Sequence, residues 1–111
     1  MNCLFWNIRG LESSSSRLFS LIQQWRINLV AVIEPIVDST KADSYKHKHG
    51  LNAVLFSPNT KIWNIWDPNS LIILDTVWHT QFVPIKVKKE DFSWWITFIY
   101  GNHCYISRRY L

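Results

Sequence analysis

The sequence predicts an α/β (α+β) fold, a mixed sheet with a βαβ start followed by an antiparallel meander. Three observations carry that expectation. Residues 3–8 and 29–33 are near-continuous apolar runs, the pattern of buried strands. Between them Leu18, Leu21, Ile22 and Trp25 fall at i, i+3, i+4 and i+7, one face of an amphipathic helix. From Asn52 onward, short β-rich segments alternate with turn residues.

Taken in order, the first run holds Phe5 and Trp6, and Arg9-Gly10 ends it. The patch Ser13-Ser14-Ser15-Ser16 reads as a helix N-cap, where a hydroxyl accepts from free backbone N–H groups. Asn28 marks the turn out of the helix. The second run, Leu29-Val30-Ala31-Val32-Ile33, stops at Glu34-Pro35. Strand, helix and strand make a βαβ unit, whose strands are parallel and whose crossover is right-handed. Residues 38–50 are polar and fit either a short helix with a basic end or a loop. Strands are then expected over residues 52–56, 61–66, 70–74, 81–87 and 94–100. Pro58-Asn59, Asp67-Pro68-Asn69 and residues 88–91 supply turns. Pro84 predicts an edge position for its strand, because proline cannot donate to a ladder. Neither an internal repeat nor a domain linker is visible.

Composition narrows the function classes. With 48% apolar and 15% aromatic residues, the 111-residue chain can bury enough surface to fold rather than stay disordered. No apolar run approaches the roughly 20 residues of a membrane-spanning helix, so no membrane partner is expected. The first residues, Met1-Asn2-Cys3-Leu4, lack the basic start of a secretory signal. Cys3 and Cys104 are too few for a disulfide framework, which points to a reducing compartment, nuclear or cytoplasmic. The net charge of +4 favours anionic partners, and the seven tryptophans suit either a core or a nucleic-acid surface.

Two residues stand out for chemistry. In open sheets of this kind ligands gather at the carboxyl ends of the strands. Asn7 and Glu34 both fall at such ends. A carboxylate after five apolar residues is costly to bury unless paired or metal-bound. With the Asn7 amide nearby, Glu34 could hold Mg²⁺, which commonly takes one or two carboxylates, waters and phosphate oxygens. The competing reading is a carboxylate simply solvated at a strand end. His47 and His49, with His103-Cys104 further on, lack the ligand spacing of a zinc site and read better as solvated basic surface with Lys46 and Lys48. Arg108-Arg109 and Lys86-Val87-Lys88-Lys89 could touch phosphates or be solvated strand ends.

Several motifs together resemble a known family. Met1-Asn2-Cys3-Leu4-Phe5-Trp6-Asn7-Ile8-Arg9-Gly10-Leu11 is similar to the start of the endonuclease domain in plant LINE-type (non-LTR) retrotransposons. That domain belongs to the endonuclease/exonuclease/phosphatase family. Residues 29–35 with their glutamate, Lys61-Ile62-Trp63-Asn64-Ile65-Trp66-Asp67-Pro68, and Trp94-Trp95-Ile96-Thr97-Phe98-Ile99-Tyr100-Gly101 match in the same order, and Arg108-Arg109-Tyr110-Leu111 resembles an Arg-Arg-x-Leu segment of these elements. The resemblance spans nearly the whole chain. It implies that residues 1–111 are a partial domain, the N-terminal half of a DNase I-like β-sandwich truncated at the C-terminal side. It also implies roles. Asn7 would lie near the metal and the scissile phosphate, Glu34 would bind the metal, normally Mg²⁺, and Tyr100 would help position the phosphate.

The departures from the family pattern shape the expected function. Arg9 stands where apurinic-site relatives carry an acid, and His103 stands where a phosphate-contacting asparagine can occur. The family's Gly-Asp-Phe-Asn and Ser-Asp-His motifs do not occur in these residues. They would supply the groups that activate water and stabilise the phosphate transition state. The expectation is therefore an inactive remnant of a Mg²⁺-dependent phosphodiesterase. Its partners would be weakly held DNA and, through an exposed aromatic sheet face, a second copy of itself. The alternative is a non-catalytic nucleic-acid-binding or protein-interaction module that uses the basic loops and that same face.

Overall fold

Strand β1 (Asn2–Asn7) runs parallel to β2 (Ile27–Ile33), and helix α1 (Leu11–Trp25) crosses over between them. The structure is a computed structural model that describes residues 1–48, 50–79 and 81–99. The chain divides into two compact units, Met1–Leu71 and Ile72–Leu111.

In the first unit the sheet order is β1-β2-β4-β3, with β3 at Ala53–Phe56 and β4 at Ile62–Trp66. β4 pairs antiparallel with both β2 and β3. Central strands are shielded on both faces, and β2 is accordingly buried at every position except Asn28. Strand alternation splits the sheet into two faces. Val30, Val32, Trp63 and Ile65 face one way and form the core with Leu11, Leu18 and Ile22 of α1. Trp63 is fully buried there, edge-on to Phe56 at 5.3 Å and to Tyr45 at 6.5 Å between ring centroids. On the same side, the Arg17 guanidinium of α1 lies 5.6 Å from the Trp6 ring centroid, a cation–π contact.

Within the polar stretch, residues 39–48 are helical rather than a loop. A 3₁₀ turn (Ser39–Lys41) leads into α2 (Ala42–Lys48). Asp38 caps the turn by accepting from the Thr40 N–H at 3.0 Å, and these bonds hold its carboxyl below the ordinary aspartate value. Asp43 is likewise lowered by Lys46, whose ammonium lies 2.9 Å away one turn on.

The second unit is a three-stranded antiparallel meander, β5 (Ile72–Thr76), β6 (Phe82–Lys89) and β7 (Phe92–Ile99), in the order β5-β6-β7. Val83, Ile85 and Val87 of β6 are buried and alternate with Pro84, Lys86 and Lys88. The fold is thus a mixed α+β arrangement dominated by strands, with the parallel βαβ start in place.

Four expectations change. The later strands do not form one meander, since β4 inserts beside β2 and β5 opens a separate sheet. The β6 strand is central, not an edge. Pro84 fits there because its carbonyl accepts from Val77 N–H at 2.9 Å, beyond the last β5 register pair, Thr76 with Ile85. Its missing N–H would point the same way, where no ladder partner is needed. The serine patch does not cap α1. Gly10 holds the N-cap position without a side-chain bond, and Ser15 lies buried inside the helix. Lastly, the buried stripe of α1 runs through Leu11, Ser15, Leu18 and Ile22, which leaves Leu21 and Trp25 on its margin, with Trp25 59% exposed.

Candidate functional site

The parallel pairing aligns Asn7 with Ile33, so the last residue of β1 sits one step from Glu34 along the neighbouring strand. Beyond the pair the two strands stay tied. Ile8 N–H donates to the Ile33 carbonyl at 3.0 Å, Gly10 N–H to the Glu34 carbonyl at 3.0 Å, and Leu11 N–H to the Pro35 carbonyl at 2.7 Å. The last bond also satisfies a helix-start N–H that has no partner within α1. Glu34 N–H donates to the Lys61 carbonyl at 2.8 Å. The Glu34 backbone is therefore pinned between the exit of β1 and the residue that leads into β4.

Backbone strain concentrates at these strand ends. Arg9, Glu34 and Ile36 have φ of 48°, 55° and 51°, and Gly10 has 124°. Left-handed backbone is costly for side-chain-bearing residues, most of all for β-branched Ile36. Such outliers persist where the surrounding fold over-determines them, and they cluster at ligand sites.

The side chains add a second signal. Asn7 Oδ1 is buried and has no hydrogen-bond partner. Buried amide oxygens are normally satisfied. An amide oxygen and a half-buried carboxylate at the ends of neighbouring parallel strands are donor types that suit Mg²⁺ or Ca²⁺.

Asn64 joins this face, and the sequence reading gave it no role. It is fully buried on β4, and neither its Oδ1 nor its Nδ2 has a partner. The register aligns Asn64 with Ala31, and Ala31 with Phe5, which puts it on the same sheet face as Asn7 and opposite the helix-covered core. The two asparagines lie two strands apart and two residues along, so their Cα atoms are about 12 Å apart by sheet geometry. One amide in the otherwise apolar run Ile62-Trp63-Asn64-Ile65-Trp66 was the available signal.

The remaining sequence candidates scatter. Tyr100 lies outside the described residues, as do His49, His103, Cys104, Arg108 and Arg109. His47 is exposed on α2. Lys86, Lys88 and Lys89 lie on β6 in the second unit. Cys3, half-buried on β1, has its thiol pushed above the ordinary value by burial. Among the described residues no group of three or more His, Cys, Asp or Glu side chains gathers, and no helix is long and apolar enough to cross a membrane.

Comparison of the sequence with protein-family models and with curated proteins finds no match.

Proposed function

We propose that these residues form the metal-side half of a Mg²⁺-dependent phosphodiesterase pocket in a DNase I-like domain. The observation that carries the reading is the buried, unpartnered Asn7 Oδ1 at the carboxyl end of β1, one step from Glu34 at the end of the parallel neighbour. The strained exits of both strands support it, because the pinned Glu34 backbone fixes where the carboxylate starts. A bound Mg²⁺ would supply Lewis-acid stabilisation of a phosphate oxygen. Glu34 would hold it through its carboxylate and Asn7 through its amide oxygen. Tyr100, at the end of the Trp94-to-Tyr100 segment that resembles the family's motif, would help position the phosphate.

No residue in this set activates water or protonates a leaving oxygen. The missing Gly-Asp-Phe-Asn and Ser-Asp-His motifs would do that work. Residues 1–111 alone are thus a binding half-site without turnover, and any affinity for DNA is weak.

Magnesium titration of the full chain, followed by tryptophan fluorescence, tests this reading. A saturable change is expected in the parent and a flat response in Glu34→Gln, with a weakened response in Asn7→Ala. An equal response in Glu34→Gln and parent, or none in the parent, removes the metal site.

A further inference from the structure

The second sheet has two unlike faces. Val83, Ile85, Val87 and Phe98 are buried on one. The other carries the residues of opposite parity and is open. There the register sets Trp95 beside Lys86 and Ser93 beside Lys88. Trp95 is 49% exposed, Lys88 is exposed and Lys86 half-buried. At the far end of β6, the Phe82 ring stacks on that of His79, with centroids 4.1 Å apart and planes 15° from parallel. Phe82 and Lys86 are four residues apart on one strand, about 13 Å. One open face therefore holds two flat aromatic platforms, Trp95 flanked by cations and the His79–Phe82 stack at the other end of β6.

Charge and shape together select the occupant. The ammonium groups of Lys86 and Lys88 favour an anion, as does the net charge of +4. Asp75, the register partner of Lys86 on β5, offsets part of that charge, while Lys88 pairs with Ile72. An acidic peptide offers carboxylates but no ring at every repeat. A nucleic acid offers a phosphate and a flat base in each unit, and only a single strand leaves its base faces free to stack on protein rings. Aromatic platforms beside lysines on a sheet are the means by which such strands are held without sequence readout.

We propose that this face of the β5-β6-β7 sheet binds single-stranded nucleic acid, one base stacking on Trp95 and another on His79, with phosphates against Lys86 and Lys88. The inference uses residues of the second unit alone and does not rest on Asn7 or Glu34.

The test is fluorescence anisotropy of a labelled oligothymidylate with the full chain, run in EDTA so that no divalent metal contributes. Binding should weaken as salt rises, and a duplex of equal length should bind less well. Trp95→Ala should weaken binding about fivefold or more, the lower end of one lost stacking contact. In Lys86→Gln/Lys88→Gln the slope of log affinity against log salt should fall by roughly 1.4, about 0.7 for each phosphate contact. This second variant keeps the test sound if Trp95→Ala fails to fold. Absence of binding at low salt, preference for duplex, or unchanged affinity and salt slope in the variants would each overturn the proposal. So would a dimer that takes up no oligonucleotide, which would give the face to a second copy of the chain.

Discussion

The Gly10 amide donates to the Glu34 carbonyl at 3.0 Å, and this bond joins the only residue type that fits the β1 exit to the acid of the candidate metal site. Gly10 sits at φ 124° and ψ 96°, and a Cβ there would stand 3.2 Å from Ser13 Oγ. Gly10→Ala should therefore destabilise the first unit by about 1–3 kcal/mol, the usual range for a residue forced into such backbone. Urea unfolding measures the loss. A variant as stable as the parent would show that the loop relaxes without strain.

Asn64→Leu should do the reverse. A buried amide with neither atom paired carries a desolvation penalty of about 1–3 kcal/mol, and an apolar side chain of similar volume removes it. The midpoint of chemical denaturation should rise. A fall would mean that the Asn64 amide has a partner in solution, and would mark it as part of a polar network.

Trp63 anchors the core of the first unit, fully buried between Tyr45 and Phe56, with its indole N–H donating to the Thr60 carbonyl at 3.1 Å. Trp63→Ala should cost about 3–5 kcal/mol, enough to unfold a marginal domain. Trp63→Phe should lose less, because the ring contacts survive and only the indole bond and some volume go. Circular dichroism melts of the two variants give the order. Equal melting temperatures would contradict the packing described.

Cys3 offers a pH readout. Burial disfavours its thiolate, and the nearby amino terminus only partly offsets this. Alkylation by iodoacetamide in a Cys104→Ser background should be slow at neutral pH and accelerate only above the ordinary thiol range. The stability sign follows from the raised folded value. The contribution is full below the unfolded thiol pKa and disappears as pH climbs through the folded one. A reaction midpoint at or below that of a free thiol would show Cys3 to be solvated.

Much of this architecture was legible because local periodicity encodes it. The seven strands among the described residues fall close to the segments marked by apolar runs and turn residues, and the parallel βαβ start follows from the helix between the first two runs. Sheet order was not legible, since the placement of β4 between β2 and β3 depends on long-range pairing that no local pattern records. Pro84 misled because proline reports only a missing donor, and whether a donor is needed depends on how far β5 extends. The candidate site was legible only as a position in the chain. Asn7 and Glu34 stand out at strand ends, whereas Asn64 looked like one residue of an apolar strand until burial left its amide without a partner.

The crossover between β1 and β2 also has a kinetic consequence. Asn7 gains its register only when Ile33 lies beside it, and α1 separates the two in the chain, so their pairing is a non-local contact that must close across the helix. Hydrogen exchange should accordingly find the amides of Ile8, Gly10, Leu11 and Glu34 opening together with one shared free energy. At the proposed metal site, ion affinity and the integrity of this crossover would then rise and fall together, and a lesion in α1 far from either oxygen would lower both.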